Sequence, residues 1–235
     1  MAQDTISMAV IARIHTDFPT KFGVPRQSGL VEALEATVVF EPEYRIPEAV
    51  RGLEEFSHIW LIWQFSQSRG WSPTVRPPRL GGNRRLGVFA TRSPFRPNPI
   101  GLSSVRLTGI ERHPTLGPVL HVAGADLVDG TPILDIKPYI PYGDCHPDAA
   151  GGFTDRTARQ VLEVVLEEPW RSLVPPQRLD ALTGVLAQDP RPSYQHDSSR
   201  VYGLGFAGLD VRFTVDEGVL TVVEILPEGE RGGEK

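Results

Sequence analysis

Short runs in which apolar and polar residues alternate fill the first 140 or so residues of the chain and predict a mostly β fold. Turn-forming segments rich in glycine and proline separate the runs, a spacing typical of sandwiches and barrels. We expect about seven strands that close, or nearly close, into an N-terminal β-barrel over residues 1–145. The runs are ISMAVIARIH, EATVVFEPEY, HIWLIWQFS, GVFAT, LSSVRLTGI, VLHVAGADLV and TPILDIKPYIP.

One segment of this region has helical spacing instead. In IPEAVRGLEEF, Pro47 suits the first position of a helix, where a backbone N–H is not needed. The apolar residues of this segment have the spacing of one buried helical face: Ala49, Val50, Leu53 and Phe56. The next run, HIWLIWQFS, is almost continuously apolar and predicts a strand that is buried on both faces.

The rest of the chain predicts a small α+β domain over residues 155–227, after the turn-forming boundary segment GDCHPDAAGGFT. PPQRLDALTGVLAQD places Leu179, Leu182 and Leu186 on one helical face. LDVRFTVDEGVLTVVEIL alternates on both sides of an acidic–glycine turn, which indicates a hairpin. DRTARQVLEVVLEEP indicates only an amphipathic or buried segment, and residues 228–235 predict a disordered tail.

Composition and cysteine content narrow the class of protein. Of the 235 residues, 40% are hydrophobic and 23% are charged, as in soluble globular proteins. No apolar run approaches the roughly 20 residues that span a bilayer, and the N-terminal residues lack the layout of a secretory signal. We therefore expect a cytoplasmic protein with no membrane partner. The single cysteine, Cys145, excludes an internal disulfide and a cysteine-based zinc cage, and the scattered histidines predict no metal site.

Basic residues are concentrated in one segment. Between Phe56 and Ile110 there are eight arginines and no aspartate, glutamate or lysine, so the other 16 basic residues oppose all 29 acidic ones and the remainder carries −13. This distribution predicts a positive surface on an acidic body, suited to nucleic acid. A solvated basic loop or a self-association surface fits the charge equally well. The arginines are Arg69, Arg76, Arg79, Arg84, Arg85, Arg92, Arg96 and Arg106.

The sequence GLGFAG, residues 203–208, matches the glycine pattern of dinucleotide-binding folds. Such a site requires a helix directly after the glycines, because the N-terminus of that helix faces the phosphates. An alternating strand follows here instead, so we exclude a Rossmann site.

Three polar, conformationally stiff segments interrupt predicted strands and are the candidate ligand-binding elements. They are Pro25-Arg26-Gln27, the stretch TRSPFRPNP at 91–99, and DGTPILDIKPY, which begins at Asp129. Proline fixes φ and offers no N–H to a sheet, so the three prolines of TRSPFRPNP stop the strand there. Each segment alone is typical of a surface turn. Together they place hydrogen-bonding groups on rigid backbone, as a pre-organised site requires.

These segments also resemble a known family. FGVPRQSGL, VRGLEEFSHIWLIWQF, TVRPPRLGG, GVFATRSPFRPNPIGLSSVRL and DLVDGTPILDIKPYIPY resemble the TrmO family, earlier described as TsaA-like, and LAQDPRPSY resembles its C-terminal domain. The resemblance implies a barrel that holds S-adenosylmethionine without a Rossmann fold and works as a homodimer. It also implies methyl transfer to N6 of threonylcarbamoyl-adenosine, next to the anticodon of threonine tRNA.

The resemblance assigns the cofactor contacts position by position. We expect Arg26 or Arg92 to bind the methionyl carboxylate in a bidentate manner. Asp129 suits the ribose hydroxyls or the ammonium group, because a carboxylate beside the sulfonium would favour the ground state. The implied cofactor-binding residues are Pro25, Arg26, Gln27, Ser66, Gln67, Arg92, Leu102, Asp129, Gly130, Thr131 and Pro132.

Substrate binding and proton transfer stay open between candidates. Arg96 or Lys137 would pair with the threonyl carboxylate, and Asp135 or Tyr139 would accept or relay the N6 proton, although a structural role for Asp135 is equally compatible. A non-catalytic barrel that senses S-adenosylmethionine or binds RNA is the alternative function, and methyl transfer to a small molecule is a third. The candidate catalytic residues are Asp135, Lys137, Tyr139 and Asn98, and those for tRNA are Arg84, Arg85 and Arg96.

Overall fold

The computed structural model describes residues 4–80, 84–157, 161–192, 195 and 197–229. Two separate hydrophobic cores organise these residues, one inside a closed barrel and one beneath a four-stranded sheet. The prediction of a mostly β fold with an N-terminal barrel is therefore confirmed. From residue 230 onward the predicted tail lies outside the described residues.

The first eight strands build the barrel and a small ribbon beside it. Six of them close the barrel through antiparallel pairs in the order β1-β2-β7-β6-β3-β8, and β4 pairs only with β5. They are β1 (Ala12–His15), β2 (Glu35–Phe40), β3 (His58–Gln64), β4 (Thr74–Val75), β5 (Leu86–Gly87), β6 (Ile100–His113), β7 (Gly117–Ala123) and β8 (Thr131–Pro138).

Alternation along β3 separates the inside of the barrel from its outer face. Ile59, Leu61 and Trp63 are buried in the barrel core, whereas the residues between them are only half-buried. The prediction that this strand is buried on both faces is therefore wrong, because only its inner face contacts the core.

Two further elements of this region differ from prediction. IPEAVRGLEEF forms two 3-10 turns, Pro47–Val50 and Leu53–Glu55, and not a helix. Gly52 lies between them with φ of 84°, a left-handed conformation that ends the helical path, so Phe56 does not reach the core and stays exposed.

The predicted strand GVFAT is also shorter than expected. Only its first glycine lies in a strand, and the 3-10 turn Val88–Ala90 follows directly. With β5 confined to the small ribbon, six strands close the barrel where about seven were expected.

The described residues of the second half form a four-stranded sheet and two helices. The helices of the chain are α1 (Pro141–Asp144), α2 (Trp170–Leu173) and α3 (Leu179–Ala187), and among the described residues no helix has the length and apolarity needed to cross a membrane. The helical face predicted within PPQRLDALTGVLAQD is confirmed in α3, where Leu182 and Leu186 are fully buried, and the predicted hairpin is confirmed as β11 and β12. The sheet has the order β10-β11-β12-β9, formed by β9 (Glu163–Val165), β10 (Tyr202–Phe206), β11 (Leu209–Asp216) and β12 (Val219–Pro227).

The glycines of GLGFAG belong to a β-hairpin. Gly203 and Gly205 lie in β10, and the turn to β11 is formed by Ala207 and Gly208, with φ of 51° and 76°. Positive φ at both central residues matches the right-handed twist of a two-residue hairpin. These glycines therefore form a tight strand connection.

The loop between β1 and β2, residues 16–34, leaves the barrel and packs into the second core. Phe18, Val31 and Leu34 are buried in the same cluster as α3 and strands β10–β12. The segment Pro25-Arg26-Gln27 lies within this loop, so both halves of the protein position it.

Candidate functional site

Two of the three predicted interruptions, joined by Thr131 of the third, line a cavity of about 510 Å³ at one end of the barrel. This volume is in the range of small-molecule sites. The β1–β2 loop supplies one wall, and residues 64–69, at and after the end of β3, supply the next. Residues of the 91–99 segment and of the β7–β8 connection, 126–128, complete the lining. At this end of the barrel the strands stop, and the loops that follow them line a single cavity.

Hydrogen bonds as well as prolines hold the 91–99 segment in place. The Arg96 guanidinium donates to the Thr91 carbonyl at 2.7 Å, and its carbon lies 5.9 Å from the centre of the Phe89 ring. The Phe65 N–H donates to the Pro99 carbonyl at 2.8 Å, which joins the segment to β3. A segment that is already ordered loses little entropy when a ligand binds.

Asp126 is a carboxylate in the pocket wall that the sequence analysis missed. Its Oδ1 accepts a 2.6 Å hydrogen bond from Ser103 Oγ, which in turn accepts a 3.0 Å bond from the Trp63 indole N–H. Burial raises the pKa of Asp126, and the Ser103 hydrogen bond and the Arg92 guanidinium oppose that rise. An acidic residue inside the apolar run VAGADLV was the available signal.

Arg92 and Gln27 connect two of the three interruptions. The Arg92 guanidinium donates to the Gln27 side-chain oxygen, and the Gln27 amide donates to the Arg26 carbonyl. Arg92 also acts electrostatically on Asp126. A cation, an amide and a carboxylate therefore face the same cavity from three different loops.

Most of the implied cofactor-binding residues line this cavity, but three do not. Asp129 lies with its Oδ1 3.2 Å from His15 Nδ1 and accepts the Thr16 N–H at 3.1 Å. The carbonyl of Gly130 accepts a hydrogen bond from the Arg13 side chain. Pro132 is buried in β8, where it is in register with Arg13 of β1. The predicted residues that line the cavity are Pro25, Arg26, Gln27, Ser66, Gln67, Arg92, Leu102 and Thr131.

Of the candidate catalytic residues, Asp135 and Lys137 lie on the outer face of β8. They form a 2.9 Å ion pair with each other. Asp135 is in register with Ile62 of β3, which is in register with Leu102 of β6, so the three share the outer face. Two strand spacings place Asp135 about 10 Å from Leu102. These residues are outside the cavity but on the surface that continues from it.

Tyr139 and Asn98 are placed differently from each other. Tyr139 packs against Trp60, with ring centres 5.6 Å apart, near the opposite end of β3 from the cavity. Asn98 is exposed in the 91–99 segment, and its carbonyl accepts the Ile100 N–H at 2.8 Å. Neither residue lines the cavity.

The arginine-rich segment surrounds the cavity only in part. Arg69, Arg92 and Arg96 line it, whereas Arg84 and Arg85 are exposed outside it, with Arg85 donating to Thr74 Oγ1 at 2.9 Å. The side chain of Arg79 lies outside the described part of the structure. In the described residues no group of three or more histidine, cysteine, aspartate or glutamate side chains is arranged to hold a metal ion.

Comparison with models of known protein families identifies the family of this chain. The model of the tRNA-methyltransferase O N-terminal domain matches residues 13–145, and that of the TrmO C-terminal domain matches residues 160–228. The chain belongs to the TrmO family. It is therefore an enzyme of a tRNA methyltransferase family.

Individual TrmO relatives match over nearly the whole chain. The tRNA (adenine(37)-N6)-methyltransferase of Escherichia coli (strain K12) is 41% identical over 227 residues, covering 92% of this chain and 96% of the relative. A putative S-adenosylmethionine-dependent methyltransferase, RcsF, of Pseudomonas aeruginosa is 44% identical over 218 residues, covering 89% and 92%. A crystal structure of TrmO from Pseudomonas aeruginosa superposes with a TM-score of 0.76 at 36% identity, covering 95% of this chain and 100% of that one.

Proposed function

We propose that this protein transfers the methyl group of S-adenosylmethionine to N6 of adenosine 37 in tRNA. We further propose that its substrate is the threonylcarbamoyl-modified adenosine of threonine tRNA, in the cytoplasm. The observation that supports this most strongly is the cavity at the end of the barrel, where Arg26, Arg92 and Asp126 face one volume in a chain of the TrmO family.

The lining of the cavity fits S-adenosylmethionine group by group. The methionyl carboxylate needs a cation, and Arg26 or Arg92 supplies one with two parallel N–H donors. The ammonium group or the ribose hydroxyls need an acceptor, and Asp126 is held at the cavity wall for this role. Leu102, with 48% of its surface exposed, offers apolar contact to the adenine ring. When bound, S-adenosylmethionine supplies an electrophilic methyl group on a positively charged sulfur.

Asp126 is proposed to bind the ammonium group or the ribose hydroxyls, the role that the family resemblance implied for Asp129. The Asp129 carboxylate is engaged by His15 and by the Thr16 N–H, and these contacts order the chain before β8. Asp129, Gly130 and Pro132 therefore act by shaping the backbone that presents Thr131 to the cavity.

Alignment is the main contribution of this protein to the reaction. The attacking nitrogen must lie in line with the methyl group and must lose one proton. The 91–99 segment is fixed by the Arg96–Thr91 and Phe65–Pro99 hydrogen bonds, so it offers the base a rigid surface.

Arg96 is better placed than Lys137 to pair with the threonyl carboxylate. Arg96 lines the cavity, whereas Lys137 is already paired with Asp135 at 2.9 Å on the outer face. An ion pair at 4 Å contributes about 4 kcal/mol before desolvation at a dielectric typical of a protein surface. This is enough for the enzyme to distinguish modified from unmodified adenosine.

Asp135 is the better proton acceptor of the two candidates. Desolvation, followed by the neighbouring Cys145 and Asp144, raises the pKa of Tyr139, so its hydroxyl keeps its proton at neutral pH. Asp135 shares the outer face with Leu102 and lies nearer the cavity than Tyr139, so we propose that it accepts the N6 proton through intervening water. Asn98 and the exposed Arg84 and Arg85 are proposed to contact the anticodon loop.

The outer face also supports the proposal of a homodimer. Ile100 and Leu102 expose 40% and 48% of their surface beside the cavity mouth. A second copy of the chain that covers this face would enclose the cavity. Analytical ultracentrifugation tests this proposal: a sedimentation coefficient of the monomer at micromolar concentration would contradict it.

The proposed reaction is tested with threonine tRNA that does or does not carry the threonylcarbamoyl group. Methyl-labelled S-adenosylmethionine should label N6 of adenosine 37 only in the modified tRNA, as read by mass spectrometry of the nucleosides. Binding of S-adenosylmethionine without any transfer would contradict the proposal and favour a sensing role.

Two substitutions in the same assay test the assigned roles. Arg96→Ala should lower kcat/KM for modified tRNA at least tenfold, whereas the matched control Arg106→Ala, at the far end of the β3–β6 pair, should change it less than twofold. Asp135→Asn should lower kcat without changing the affinity for S-adenosylmethionine.

A further inference from the structure

We infer that the C-terminal domain sets the affinity of the cavity for S-adenosylmethionine by holding the β1–β2 loop in its binding conformation, with Arg178 as the principal positioning residue. The inference rests on the proposed function, since it takes S-adenosylmethionine as the ligand of the cavity.

The β1–β2 loop is held by the second core as well as by the barrel. Phe18 is 1% exposed and packs edge-to-face on Phe206 of β10, with ring centres 5.4 Å apart. The Asp17 carbonyl accepts the Ala207 N–H at 2.9 Å, in the turn of the same hairpin. Without these contacts, the loop would expose its apolar residues and sample many conformations.

The backbone of the loop also lies close to the hairpin at Gly23, two residues before Pro25. Gly23 has φ of 84°, and a Cβ built there would lie 2.2 Å from Cδ1 of Leu204. Leu204 is fully buried in β10, so it cannot move away at low cost. Only a glycine allows this close contact between the loop and the C-terminal domain.

Arg178, at the start of α3, connects both ends of the loop to the C-terminal domain. Its Nε lies 3.1 Å from Oδ2 of Asp17, and its Nη1 lies 2.9 Å from Oε2 of Glu35. Asp17 follows β1 and Glu35 begins β2, so one guanidinium contacts both ends of the loop. Burial raises the pKa of Asp17 and Arg178 opposes this effect, so without Arg178 the loop carries a half-buried carboxylate without its ion pair.

These contacts bear on binding because the loop carries Arg26 and Gln27, which face the cavity. A ligand that has to order a mobile loop loses the free energy of ordering from its affinity, whereas a loop already fixed does not incur this loss. The C-terminal domain therefore influences the cavity without touching the ligand.

The first test compares Arg178→Ala with the matched control Arg212→Ala. Arg212 is similarly exposed and also pairs with two carboxylates, Asp210 and Glu224, but these lie within the C-terminal sheet. Isothermal titration with S-adenosylmethionine should show Kd raised about tenfold in Arg178→Ala and changed less than twofold in Arg212→Ala. In steady-state assays Arg178→Ala should raise KM for S-adenosylmethionine and leave kcat at saturation unchanged, which a general loss of folded protein would not do.

The second test compares two glycines with the same backbone conformation. Gly23 and Gly52 both have φ of 84°, but a Cβ at Gly52 meets no atom within 4 Å. Gly23→Ala and Gly52→Ala therefore share the backbone strain, and only Gly23→Ala displaces the loop from Leu204. We expect Gly23→Ala alone to raise Kd for S-adenosylmethionine, at least fivefold.

Each outcome decides the inference. Wild-type affinity in both Arg178→Ala and Gly23→Ala would overturn it and leave the proposed function intact. Weakened tRNA binding with unchanged Kd for S-adenosylmethionine would also overturn it, and would make Arg178 an RNA contact. Absence of binding by the wild-type protein would overturn the proposed function together with this inference.

Discussion

Replacing Ser103 by alanine breaks the hydrogen-bonded chain that fixes Asp126. Ser103 is 1% exposed, and its hydroxyl both accepts from Trp63 Nε1 at 3.0 Å and donates to Asp126 Oδ1 at 2.6 Å. Alanine leaves the buried Trp63 N–H without a partner, at about 1–3 kcal/mol, and removes one of the hydrogen bonds that Asp126 accepts, at about 1–2 kcal/mol. We therefore expect the free energy of unfolding to fall by about 2–5 kcal/mol, with the lower value if water in the cavity hydrates Asp126.

Urea unfolding measures this loss, and Ser104→Ala serves as the control. Ser104 is adjacent in β6 but lies on the outer face, so its substitution should change the free energy of unfolding by no more than about 0.5 kcal/mol. The same titrations with S-adenosylmethionine should show weaker binding by Ser103→Ala, because Asp126 loses its fixed orientation. A loss below about 0.5 kcal/mol in Ser103→Ala would refute the idea that the chain Trp63–Ser103–Asp126 stabilises this end of the barrel.

Three other predictions follow from the same site. Because burial raises the pKa of Asp126, the folded state binds its proton more tightly, and stability falls as pH rises from about 3.8 through the raised pKa. Asp126→Asn should therefore gain stability over wild type in thermal melts at pH 7, a gain that disappears near pH 4. Gly101→Ala, whose Cβ would lie 2.2 Å from the Trp63 ring, should lose about 1–3 kcal/mol in urea unfolding, whereas Gly109→Ala, with open space, should lose less. Replacing Arg84 and Arg85 by alanine should lower the slope of log K against log salt for tRNA binding by about 2; an unchanged slope would mean that neither contacts phosphate.

The sequence predicted the barrel because alternation is a local signal. HIWLIWQFS shows the limit of this signal: it is apolar at nearly every position, yet Ile59, Leu61 and Trp63 are buried in the core, Phe65 packs against it, and Trp60 and Ile62 are only half-buried. The barrel core does not explain the apolar residues on the outer face of β3. They are explained by the groups that cover or bind that face. In IPEAVRGLEEF the apolar spacing predicted a helix, and the left-handed Gly52 prevented it.

The candidate site was predictable in part as loops but not as a set of side chains. Prolines and planar polar groups identified two of the loops that line the cavity, whereas DGTPILDIKPY mostly forms β8 and contributes only Thr131. Of the two acids in GADLVDG, the sequence favoured Asp129, whereas Asp126 faces the cavity because Ser103 and Trp63, from other strands, hold it there. Contacts between distant segments decide this choice, and the same holds for the packing of the β1–β2 loop against Leu204.

A crystal structure of the protein with S-adenosylhomocysteine would test the central claim most directly. We predict ligand density in the cavity between Gln27, Arg92 and Leu102, with a ligand nitrogen or hydroxyl within hydrogen-bond distance of Asp126. Density elsewhere, for example in a cleft lined by His15 and His121, would contradict the assignment of this cavity as the cofactor site.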